Sequence, residues 1–185
     1  MLRFFVLFLV VVLSGCATGA ADRAMVFDAT SSKAVVVLGW NGLDGWRGRS
    51  VGISFRGVDP DNRLDKRAFF VSNGNGWEAM KPIEYFVLEV DPGTYIANST
   101  VSSNGMQQMF AAFCLGTVRF EAPAGKAVYI GNFEAPEGIG AVRTSPPDYE
   151  AAKIKLREYS GVKEALTEAL MRKSPYPNSE CRRGF

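Results

Sequence analysis

The chain has 185 residues and carries 21 Lys and Arg against 19 Asp and Glu, a formal net charge of +2, with 47% hydrophobic residues. That length holds one domain with a proper core, and no basic stripe marks a nucleic-acid footprint. There is no histidine at all, which excludes Ser-His-Asp and Cys-His nucleophilic sites and the usual His-bearing zinc sites.

The first element is a targeting segment. Arg3 supplies a positive start, Phe4 to Leu13 is an unbroken run of ten apolar residues, and Ser14 and Gly15 lead into Cys16. Ten residues of helix rise only about 15 Å, half of a hydrocarbon core of roughly 30 Å, so the run is too short for a stable span. Leu13-Ser14-Gly15-Cys16 resembles the bacterial lipobox at every position. That resemblance implies a signal peptide over residues 1–15, cleavage before Cys16, and a diacylglyceryl, palmitate-type modification of its thiol. Two or three acyl chains anchor stably where one does not. In the same families an Asp after the cysteine retains the lipoprotein at the inner membrane; Ala17 therefore points to the outer membrane, with the domain facing the periplasm. Removing residues 1–15 leaves 170 (185 − 15) at a net charge of +1. Residues 16–32 are expected to be the lipidated cysteine and a tether.

From residue 33 to 144 the chain reads as short β-strands separated by turns: KAVVVLGW (33–40), RSVGISFRGV (49–58), RAFFVS (67–72), EYFVLEV (84–90), GTYIANSTV (93–101), FAAFCLG (110–116), TVRFEA (117–122) and AVYIGNF (127–133). Val51, Ile53 and Phe55 alternate with Gly52, Ser54 and Arg56, as a half-buried strand requires. So many strands in this length predict a mainly β fold, an antiparallel two-sheet sandwich with a C-terminal helical segment. The turn DPGT (91–94) has type II chemistry, which predicts that residues 84–90 fold back on 95–101. DPDNRLD (59–65) crowds three aspartates and an asparagine into seven residues, yet Leu64 and Phe70 stand where an EF-hand needs Gly and Glu; a polar interstrand turn is the better account. PGTY and AGKAVYIG resemble segments of a group of bacterial lipoproteins with a transthyretin-like (prealbumin-like) sandwich. The similarity covers roughly residues 84–170 and implies a fold and a location, with no catalytic residue.

Two connections are distinctive. NGLDGWRGRS (41–50) and SNGNGWEAM (72–80) each set a tryptophan, Trp46 or Trp77, among glycines, and Trp40 stands just before the first. Such an indole either grips a sugar or peptide or folds back to plug the end of the sandwich. Trp46, Arg47, Arg49 and Trp77 are the candidate binding surface. Neither stretch carries a phosphate-binding glycine motif, and no cofactor or metal is expected.

After Thr144 the period changes. Ser145 is read as an N-cap before Pro146, and Tyr149, Ala152, Leu156 and Tyr159, then Val162, Ala165, Leu166, Ala169 and Leu170, recur at helical spacing. Two helical stretches broken near Gly161 are expected to pack with the tail (145–185) on the sandwich, with Arg172 and Lys173 in the last turn before Pro175. With Cys16 acylated, Cys114 and Cys181 remain. In an oxidising envelope a disulfide between them is favoured over two separate buried thiols.

The functional expectation is an outer-membrane lipoprotein acting as a non-catalytic binding or structural component of a cell-envelope assembly, with an envelope protein or glycan as partner. The alternative is a His-independent carboxylate hydrolase acting on envelope glycans, with carboxylates such as Glu78 and Glu84.

Overall fold

The computed structural model describes residues 21–42, 50–72, 82–103, 108–135, 141–169, 171–177 and 181. The elements named among the described residues are, in chain order, β1 (Ala34–Asn41), β2 (Ser50–Val58), β3 (Leu64–Ser72), β4 (Glu84–Val90), β5 (Gly93–Ser103), β6 (Gln108–Ala112), β7 (Thr117–Ala122), β8 (Ala127–Glu134), β9 (Arg143–Ser145), α1 (Tyr149–Leu156), β10 (Leu166–Glu168) and β11 (Arg172–Ser174). They form the expected two-sheet sandwich. The smaller sheet runs β10-β8-β1-β4 with β9 also on β8; the larger runs β11-β7-β5-β2-β3 with β6 also on β5. The larger sheet is antiparallel throughout, while in the smaller one β8 lies parallel to both β1 and β10.

The unbroken apolar run of β1 is explained by burial on both faces. Ala34, Val36, Leu38 and Trp40 point between the sheets, and Val35 and Val37 point into a second core on the outer side of the smaller sheet. Such a strand needs no polar alternation. The inter-sheet core is aromatic: Phe55 stacks on Phe69 at 4.6 Å and meets Phe120 and Phe133 edge-on, and Tyr95 stacks on Phe120. The second core is closed by Ala152, Leu156 and Tyr159 of the helical segment and by Phe27. Part of the segment read as tether is therefore docked on the domain. Ala21 N donates to Val87 O, Phe27 N to Gly161 O, and Lys163 N to Phe27 O.

Four local expectations are corrected. First, residues 84–90 do not pair with 95–101: β4 pairs with β1 and β5 with β2, β6 and β7, so the turn after Val90 carries the chain from one sheet to the other. Gly93 takes φ +139°, and a Cβ there would collide with the Arg67 guanidinium. That guanidinium donates to Pro92 O at 2.7 Å and to Val58 O at 3.1 Å, fastening the crossing turn to the end of β2. Second, Ser145 is not the helix cap. It pairs with Asn132 in β9, and Asp148 caps α1 by accepting from Ala151 N at 2.9 Å. Third, the second helical stretch is absent. Residues 166–168 and 172–174, with Arg172 and Lys173, are strands instead, because the free edges of β8 and β7 offer backbone partners that outweigh helical periodicity. Fourth, in the run 110–116 the strand ends at Ala112, Gly116 bridges to Ala141 instead, and β6 and β7 share one edge of β5. The aspartate-rich stretch is the expected polar turn: Asp59 Oδ1 accepts from Arg63 N at 2.7 Å, and Asn62 adopts φ +61°.

Candidate functional site

The strand registers define two unlike ends. Residues 59–63, 91–92 and 123–126 close one end with tight connections. At the other end, Trp40 lies opposite Glu84 and Phe133, Asn41 opposite Glu134, Gly52 opposite Ser72 and Val101, and Ser50 opposite Ser103, itself opposite Gln108. The connections 43–49, 73–81, 104–107 and 136–140 therefore all depart from that same end. Trp46, Arg47, Arg49 and Trp77 belong to the first two and lie outside the described residues, as do Leu13, Ser14, Gly15, Cys16 and Glu78. Trp40, by contrast, is fully buried, and its Nε1 donates to Val51 O at 3.2 Å. It plugs the core beneath this end. Beside it, β6 exposes Met109 and Phe110, half and two-thirds accessible.

A cleft of about 640 Å³ opens near this end on the outer side of the smaller sheet, lined by Ile83, Tyr85, Asn132, Pro146, Pro147, Asp148, Tyr149 and Glu150. Its floor is a closed hydrogen-bond network. Tyr129 Oη donates to Asn132 Oδ1 at 2.8 Å and accepts from Asp148 N at 3.0 Å, while Asn132 Nδ2 donates to Pro146 O at 2.8 Å. Gly39 is required above it, because a Cβ there would collide with Asn132 Oδ1. Burial pushes the Tyr129 and Tyr85 hydroxyls up from their ordinary values, so both stay neutral hydrogen-bonding groups at physiological pH. The cleft offers aromatic and proline surface edged by carboxylates, and the Asp148 carboxylate is engaged in capping α1. Glu84 is exposed at the start of β4. Among the described residues no three His, Cys, Asp or Glu side chains cluster as metal ligands.

Cys114 and Cys181 form a disulfide with Cα atoms 5.5 Å apart. It fastens the tail beside the 113–116 turn, where Tyr176 Oη donates to Asn98 Oδ1 at 2.6 Å and β11 extends β7. The tyrosine network escapes sequence reasoning because Tyr85, Tyr129 and Asn132 come from two strands that meet only through β1. No protein-family model, curated protein or solved structure matches this chain.

Proposed function

We propose that the protein is an outer-membrane lipoprotein, anchored through acylated Cys16 with its domain in the periplasm, and that it acts without catalysis by offering one end of its sandwich to an envelope partner. The observation that carries this reading is the asymmetry of the two ends. Turns of two to five residues close one, while four connections leave the other, three of them of eight residues or more and two of these bearing Trp46, Arg47, Arg49 and Trp77. A rigid sandwich with its variable connections gathered at one end is a common platform for recognition. The Cys114–Cys181 disulfide supports an oxidising compartment, which agrees with the lipobox and the envelope location.

The anchor is tested by metabolic labelling with a fatty-acid analogue. Wild-type protein is expected to incorporate the label and to begin at Cys16, and Cys16→Ala to remain unlabelled; equal labelling of the two would refute lipidation at that residue.

A further inference from the structure

Pairing across the larger sheet lines up residues far apart in sequence. Arg56 on β2 faces Ile96 on β5, Ile96 faces Arg119 on β7, and Arg119 faces Arg172 on β11. Directly paired residues share a face. Tyr95 and Phe120, the neighbours of Ile96 and Arg119, stack inside the sandwich, so this row lies on the outside. At about 4.8 Å per strand the three guanidinium-bearing positions span roughly 15 Å. Ile96 is fully buried between the arginine stems.

Among the described residues, Arg119 and Arg172 of this row lack counter-ions. Arg23, Lys33, Arg67, Lys126, Arg143, Lys153 and Lys155 each pair with a carboxylate. Among the described residues none lies within ion-pair distance of Arg56, Arg119 or Arg172. Arg119 donates to Asn62 Oδ1, a neutral acceptor that leaves its charge uncompensated, whereas Arg56 donates to Asp65 O and its charge is shared with the Asp65 carboxylate. The Arg119 Nε is buried and unpartnered. Towards the open end, the same face carries Val101 and, opposite it on β6, exposed Phe110. Among the described residues, α1 packs on β4, β1, β10 and β8 of the smaller sheet.

We propose that this outer face of the larger sheet docks an acidic segment of a partner protein, with Arg119 and Arg172 taking its carboxylates and Phe110 an apolar side chain. Arginine forks match carboxylates in pairs, and arginine beside an exposed aromatic is the composition of protein interfaces. With the chain anchored at Cys16 as proposed above, a bilayer fits less well. Ala21 is fixed to Val87 on β4 of the other sheet, and five residues reach at most about 18 Å, so the tether would be drawn nearly straight to lay this face on the membrane.

The test titrates the full chain, in phosphatidylcholine nanodiscs, with poly-L-glutamate, with poly(Glu,Tyr) copolymer and with phosphatidylglycerol vesicles. Wild type and Lys153→Glu, whose change lies on the opposite layer, are expected to bind poly-L-glutamate alike; Arg172→Glu and Arg119→Gln should weaken it by about tenfold or more. The copolymer should bind more tightly than poly-L-glutamate, and Phe110→Ser should erase that difference. Melting curves of each variant separate lost binding from lost folding, and Arg172, fully at the surface, is the variant expected to melt as wild type. Equal weakening by Lys153→Glu, no binding by wild type, indifference to Phe110→Ser, or stronger Arg172-dependent binding to vesicles would overturn the proposal. Unlipidated Cys16→Ala protein in detergent should bind the polymers as wild type does, so failure of the anchor is distinguishable from failure of this surface.

Discussion

Tyr95 shows how one side chain joins the core to the turn that passes between the two layers. Its ring stacks on Phe120 inside the sandwich, its hydroxyl donates to Asp91 O at 2.7 Å, and the Arg67 guanidinium lies 5.3 Å from its centroid. Burial pushes its hydroxyl up to about 12, from 10.0. The folded state thus holds the phenol proton more tightly than the unfolded chain. This contribution is fully present below about pH 10 and is lost as pH rises toward 12, where the unfolded state deprotonates first. Urea unfolding across that window should show stability falling with pH, and Tyr95→Phe should flatten the slope while costing about 1 kcal/mol at neutral pH for the lost hydrogen bond. An unchanged slope would place the alkaline sensitivity elsewhere, for which Tyr129, raised by the same cause, is the next residue to replace.

At the scale of elements, α1 provides a clean contrast. Asp148 caps it, whereas Ser145 Oγ is buried without a hydrogen-bond partner. Asp148→Ala should destabilise the protein by about 1 kcal/mol, and Ser145→Ala should be near neutral, as denaturant midpoints would show. A cost on Ser145 alone would mean that the helix begins where the local sequence pattern first placed it. That pattern was legible wherever one force dominated. The runs of β1, β2, β4 and β8 read as strands because their β-branched and aromatic residues fit a pleated buried surface, and 59–65 read as a turn because Asp and Asn bond their own backbone. It misled where tertiary partners decided. Leu166 sits at helical spacing but pairs with Ala127 of β8, and DPGT has hairpin chemistry but passes between sheets. The Arg56, Arg119 and Arg172 row was invisible for the same reason, since it runs across strands and exists only once the register is known.

At the scale of the whole molecule, the disulfide and the placement of the connections matter most. Cys114–Cys181 joins residues 67 apart. In the chain-entropy model, closing such a loop stabilises the fold by about 4 kcal/mol, an upper figure, so Cys114→Ser/Cys181→Ser should lose about 2 to 4 kcal/mol and free the tail to early proteolysis. The cysteine pair was legible by elimination, once the expected lipidation of Cys16 left Cys114 and Cys181 as the remaining thiols, for which an oxidising compartment was expected. The shared end of the connections bearing Trp46 and Trp77 was not, because only strand pairing brings β1, β2, β3 and β4 to a common end.

The central claim, that this end binds a partner, is tested most directly by in-cell crosslinking of the full chain and its Trp46→Ala and Trp77→Ala variants, with melting temperatures measured alongside. A central aromatic hot spot is worth about 2 kcal/mol or more in binding, so the variants should melt close to wild type and lose the crosslinked partner. Truncation of a core indole costs about 3 to 5 kcal/mol of stability, and a loss of that size, with crosslinks retained by the protein that still folds, would contradict the account and make these tryptophans core residues like Trp40.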